Sequence, residues 1–222
     1  MALTKFNYNS FDLTTAASKG LAFNSDADGF TTSAAGALTL IKTLTVSTAS
    51  DATILHGSSS VVFDNTYPVY VIKYINVFSS SGQNIAMNFT TDGSNYNVNV
   101  TSTAFVAEHA EDGSSVSRID YSESYDRAQS TDVTVFNINK GGLRDATDSS
   151  ASGEIFIFNP SSTTFVKHFI SRACSMSEYP GATDNYCSGY ANTTSAVTGV
   201  RFHAVSSNTI SGTFKLYGIK DS

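Results

Sequence analysis

The stretch SGTFKLYGIK (residues 211–220) puts Phe214 and Leu216 on one face of an extended segment and Thr213, Lys215 and Tyr217 on the other. That period of two is the signature of a β-strand with one face in a core and one face wet. A strand this close to the final residue, paired into a sheet, pins the end of the chain. The alternation recurs upstream. GEIFIFN (153–159) sets Ile155 and Ile157 opposite Phe156 and Phe158, so both faces are apolar and the strand is either buried or packed on a partner. YVIKYINVF (70–78), long and rich in β-branched and aromatic residues, reads as a central strand. LTLIKTLTV (38–46), ATIL (52–55), SVVFD (60–64), NIAMNFT (84–90), YNVNVT (96–101), AFVAEH (104–109), VTVFNIN (133–139), TTFVKHFISR (163–172), YCSGYAN (186–192) and AVTGVRFHAV (196–205) read likewise. HGSS turns a hairpin between 52–55 and 60–64, and TDGSN, with Asp92-Gly93, another between 84–90 and 96–101. About a dozen short strands at roughly ten-residue spacing, with no helical period, predict an all-β fold: an antiparallel β-sandwich, jelly-roll-like. Phe89, Phe105, Phe136, Phe158, Phe169, Phe202 and Phe214 are assigned to its core.

The sandwich is expected over residues 38–222. Residues 1–37 read differently: Phe6, Tyr8, Phe11, Phe23 and Phe30 are spaced by small and polar residues, and TTSAAGA (31–37) follows as a connector. Such a segment cannot bury its rings alone. It must lie on its own domain or on a neighbour, and the neighbour is preferred: an extended N-terminal arm whose Phe6, Tyr8, Phe11 and Phe23 anchor the protein in an assembly.

Composition narrows the function classes. A chain of 222 residues is long enough to fold without staples. Charged residues are 14%, below a usual ~25%. The net charge is −6, the pI is near 5.0 and no basic run occurs, which argues against a nucleic-acid partner. No apolar stretch is long enough to insert in a membrane, and the first twenty residues lack the apolar core of a secretory signal. Synthesis in the cytosol is therefore expected, the protein staying there or leaving by assembly or lysis, with the sequons at Asn88, Asn99 and Asn192 unused. Cys174 and Cys187 enclose SMSEYPGATDNY; two thiols are the simpler reading, and a disulfide would staple little beyond that loop.

Few motifs carry chemistry. NSDADG (24–29) matches the first half of an EF-hand loop, but the twelfth position is Ala35 where a bidentate Glu is required. A solvated turn is expected there, and no metal or cofactor. DYSESYDRAQS (120–130) supplies Asp120, Glu123 and Asp126, a carboxylate set that a polysaccharide-degrading glycosidase could use, in a serine-rich segment with no sign of the burial a catalytic acid needs. His56, His109, His168 and His203 are scattered without metal-ligand spacing, and no nucleophile, phosphate-loop or dinucleotide signature occurs. The expectation is no enzyme. Tyrosine-rich loops are the better binding candidates: Tyr121 and Tyr125 near Arg127, and Tyr179, Tyr186 and Tyr190 around the cysteines. Tyrosine buries a rigid apolar body while keeping a polar tip, which suits a subunit contact or a sugar face.

LIKTLTVS, DNTYPVYVIKYINVF, TDGSNYNV, YDRAQS, GEIFIFNPSSTTFVKHFIS, GYANTTSAVTGVRF and SGTFKLYGIK together cover most of residues 38–219. In these segments the chain resembles the β-sandwich virion structural proteins of tailed bacteriophages, especially those of marine hosts. The resemblance implies a non-enzymatic sandwich displayed on the virion surface, as a capsid decoration protein or a short head or tail fibre. It carries no catalytic residues over. The partners it implies are further copies of the same chain, a trimer above all, the major capsid or tail protein of the same virion, and a host surface glycan. A carbohydrate-binding receptor-recognition module of a tail fibre is the alternative, with the glycosidase behind it.

Overall fold

The computed structural model describes residues 19–23, 30–34, 38–113, 116–121, 126–130, 148–176, 180–205 and 208–220. Every regular element among them is a strand. These are β1 (Lys19–Phe23), β2 (Phe30–Ala34), β3 (Leu38–Ala49), β4 (Ala52–Leu55), β5 (Val69–Ser79), β6 (Ile85–Thr90) and β7 (Val100–Ala110), then β8 (Ser117–Tyr121), β9 (Arg127–Ser130), β10 (Ala151–Phe158), β11 (Lys167–Met176), β12 (Gly181–Ala191), β13 (Gly199–Ala204) and β14 (Ile210–Ile219). Among the described residues no helix is long and apolar enough to cross a membrane.

A nine-stranded sheet runs in the order β3-β14-β5-β10-β11-β12-β7-β8, with β9 also paired to β7. A three-stranded sheet, β4-β13-β6, forms the second layer. All pairs are antiparallel. The expected antiparallel sandwich is therefore present, with its strands shared nine to three. β1 and β2 form a separate two-stranded sheet within the segment expected to be extended. Phe6, Tyr8 and Phe11 of the expected anchor lie outside the described residues, as do the EF-hand-like turn and Phe136.

Alternation decides which residues enter the core. β5 contributes Tyr70, Ile72 and Tyr74, β10 Ile155 and Ile157, β11 Phe169, and β14 Phe214 and Leu216, all at most 1% exposed. The small sheet answers with Ile54, Ile85, Met87, Phe89, Val200 and Phe202. Two ring contacts join the layers: Phe202 stacks on Phe214 at 4.7 Å between centroids, and Phe89 meets Phe169 at 5.8 Å. Each such pair adds about 1 kcal/mol beyond the burial of its rings. Lys167 is also buried at the start of β11. Its Nζ donates to the carbonyls of Phe165 and Thr193 at 2.9 and 3.0 Å, and desolvation lowers its pKa. It ties together the two loops that flank the start of β11 and the end of β12.

The structure corrects several expectations. Residues 60–64 are not a strand; β4 pairs with β13 instead. Ser59 and Ser60 take positive φ, which turns the chain, yet Val61 and Phe63 still pack into the core from the loop. Tyr70 fastens that loop: its hydroxyl accepts from the Asp64 N–H and donates to the Asp64 carbonyl, and burial pushes its pKa up to about 12. The Asp92 turn is not a hairpin either. Its carboxylate accepts from the backbone N–H groups of Ser94 and Asn95 and from the Asn95 amide, which holds its pKa well below the carboxylate range. The chain there leaves the small sheet at β6 and enters the large one at β7. Phe105 and Phe158 leave the core for the outer face; Phe105 is 47% exposed.

Candidate functional site

The outer face of the nine-stranded sheet faces away from the small sheet, and its side chains fall into rows across the strands. One row runs Lys215, Lys73, Glu154, Arg172, Tyr186, Phe105, Tyr121, one residue each from β14, β5, β10, β11, β12, β7 and β8. It begins as charge and ends as rings. Lys73 pairs with Glu154 at 3.5 Å. Arg172 donates through Nε and Nη2 to both oxygens of Asp184, at 3.0 and 2.7 Å. The guanidinium lies 5.1 Å above the centre of the Tyr186 ring, and Tyr186 stacks on Phe105 at 4.7 Å and 7°. Arg172 thereby holds the Asp184 carboxyl below its ordinary value of 3.8. A depressed carboxylate pKa means the pair is intact at neutral pH and is lost only as the pH falls below that value.

Beside this row lies a groove of about 770 Å³. Its floor carries small outward side chains: Ser152, Cys174, Ala182 and Ala107. Taller residues wall it: Lys73, Glu154 and Arg172 on one flank, Ile119 on the other. Ile119 is 81% exposed. Exposed His109 stands nearby, while Arg118 and Glu108 pair at 3.0 Å on the opposite face of β7 and β8.

Away from the groove the same face is apolar. A second row runs Leu40, Tyr217, Val71, Phe156, Ile170, and a third holds Leu38, Ile219, Val69 and Phe158. Leu38, Leu40 and Ile170 are 43–51% exposed. The reading of GEIFIFN as apolar on both faces is met here: one face fills the core and the other joins this field.

Of the expected binding residues, Tyr121 and Tyr186 come together, bridged by Phe105. Tyr125 and Tyr179 lie outside the described residues, as does Glu123. Arg127 starts β9, opposite Ser102, and its Nε is buried without a hydrogen-bond partner. Asp126 serves the backbone: it accepts from the Ala104 N–H at 3.1 Å, at the gap between β8 and β9 on the β7 edge, and from the Tyr121 hydroxyl. Among the described residues no group of three His, Cys, Asp or Glu side chains is placed to hold a metal ion. Lys73, Glu154, Asp184 and Phe105 escaped sequence reasoning. They are far apart in the chain, and only strand register makes them neighbours.

The cysteines sit on opposite faces of neighbouring strands. Cys174 pairs in register with Asp184 and points outward; Cys187 pairs with Ser171 and points inward. They are free thiols, and burial pushes Cys187 up to about 12. A thiol reagent such as DTNB is expected to titrate one thiol per folded chain at neutral pH, Cys174, and two after unfolding. No release of Cys174 in the folded chain, or release of both, would contradict this placement.

No protein-family model, curated protein or solved structure matches this chain.

Proposed function

We propose that this chain is a non-enzymatic structural protein on the surface of a tailed-phage virion, a capsid decoration protein or a short head or tail fibre, working as a homotrimer. The observation that carries the reading is the apolar half of the outer sheet face. Scattered surface hydrophobics need no explanation, but rows of leucine, isoleucine and phenylalanine across β3, β14, β5, β10 and β11 form a field of about 20 Å at ordinary strand spacing. Water is a poor partner for such a field, and a subunit contact is a good one. The field also begins at Leu38, where the aromatic segment 1–37 enters the sandwich. On this reading the field joins copies of the chain and the arm fastens them to a capsid or tail protein.

Sedimentation tests the first half. The wild-type chain is expected to run as a trimer, and Leu40→Glu combined with Ile170→Glu as folded monomers. A wild-type monomer would remove the support. Particle incorporation tests the second half: deleting residues 1–37 is expected to abolish it while leaving a folded sandwich, and normal incorporation would defeat the anchoring role.

A further inference from the structure

We propose that the groove on the outer sheet face binds a neutral oligosaccharide. The inference does not rest on the virion reading, because it follows from what the groove offers a ligand. Its size falls within the roughly 300–1,000 Å³ of small-molecule sites. The backbone beneath its floor belongs to β10, β11, β12 and β7, each paired on both sides, while the open edge of β8 lies beyond one flank. An added peptide strand would find no open ladder there, so recognition falls to side chains.

Those side chains balance in charge. Lys73 is matched by Glu154 and Arg172 by Asp184. An anionic or cationic ligand would have to break one of these pairs, whereas a neutral polyol can join them. A carboxylate offers about four acceptor sites and a guanidinium five N–H groups. Arg172 uses Nε and Nη2 on Asp184, which leaves further N–H capacity at the groove edge. Paired, fixed charges of this kind suit vicinal hydroxyls, each of which donates and accepts. The rim supplies the apolar complement. The Phe105 ring, 47% exposed, continues the Arg172–Tyr186 stack, and with its register neighbour Tyr121, 57% exposed, offers apolar surface to the C–H face of a sugar ring. The small floor residues leave room for that ring to sit down between the walls.

The full chain, titrated by calorimetry or saturation-transfer NMR against maltohexaose, cellohexaose and triacetylchitotriose, is expected to bind at least one with a dissociation constant at or below the millimolar range. Oligogalacturonate and sialyllactose should bind more weakly. Arg172→Gln and Asp184→Asn are each expected to weaken binding by roughly tenfold or more. Ala107→Tyr, which fills the floor and removes no bond, should abolish it. All three variants should keep the wild-type sedimentation and melting. No binding by any neutral glycan, preference for the charged ones, or undiminished binding by Ala107→Tyr overturns the proposal. A change in oligomeric state caused by Ala107→Tyr overturns it as well, by making the groove a contact between copies. Loss of the trimer through Leu40→Glu and Ile170→Glu with glycan binding kept would bear on the virion reading alone.

Discussion

Phe214→Ala is expected to cost about 4 kcal/mol of folding free energy, a large share of the roughly 5–15 kcal/mol that holds a domain together. Phe214 is fully buried on β14, the strand between β3 and β5, and its ring meets Phe202 of the small sheet. Truncation would remove the ring's own burial, leave a cavity between two layers that cannot close on it, and undo a stacked pair. Lys215→Ala, one residue on but facing outward, should shift stability by no more than about 0.5 kcal/mol. Urea denaturation of both variants measures the contrast. Equal losses would mean that β14 does not present Phe214 to the core.

Gly153→Ala is the second large effect, about 3 kcal/mol, and it arises from overpacking. A Cβ at position 153 would lie 2.2 Å from the Arg172 carbonyl oxygen and 2.3 Å from the Tyr74 hydroxyl. Neither neighbour can step aside easily. The carbonyl belongs to β11 and accepts the Tyr74 hydroxyl at 3.1 Å, and Tyr74 is 1% exposed. Gly153 is thus the gap through which the Tyr74 ring reaches β11 across β10. Tyr74→Phe alone should cost only about 1 kcal/mol, the net worth of one hydrogen bond. The pair Gly153→Ala with Tyr74→Phe should not be rescued, because the carbonyl clash remains. A melting temperature for Gly153→Ala equal to wild type would mean that β10 and β11 are not this close.

The fold was legible where alternation was clean. ATIL falls on β4 residue for residue, and YVIKYINVF and SGTFKLYGIK fall within a residue or two of β5 and β14. Where local signals conflicted with the layers, the sequence misled. Asp92-Gly93 looks like a hairpin turn, yet its carboxylate caps a crossing between sheets, and nothing local distinguishes the two. Phe105 sits in an alternating run like any core phenylalanine. It faces outward because Val106 and Ser102, not Phe105, fall on the buried side of β7. The groove was half legible. Tyrosine enrichment pointed to Tyr121 and Tyr186, but the charges beside them come from four strands whose neighbours are set by register, a property of the sheet and not of any one segment.

The place of β14 has a further consequence for how the chain must be made. β3 and β5 lie close together along the polypeptide, with only β4 between them, yet each bonds to β14, and Thr45 meets Thr213 across 168 residues. A ribosome therefore releases both strands long before the segment that separates them exists. Both run antiparallel to β14, so zipping to one another early would give a parallel pair that must come apart later. Contacts this distant along the chain slow folding, and the newborn protein has to hold two open strand edges until β14 has been made.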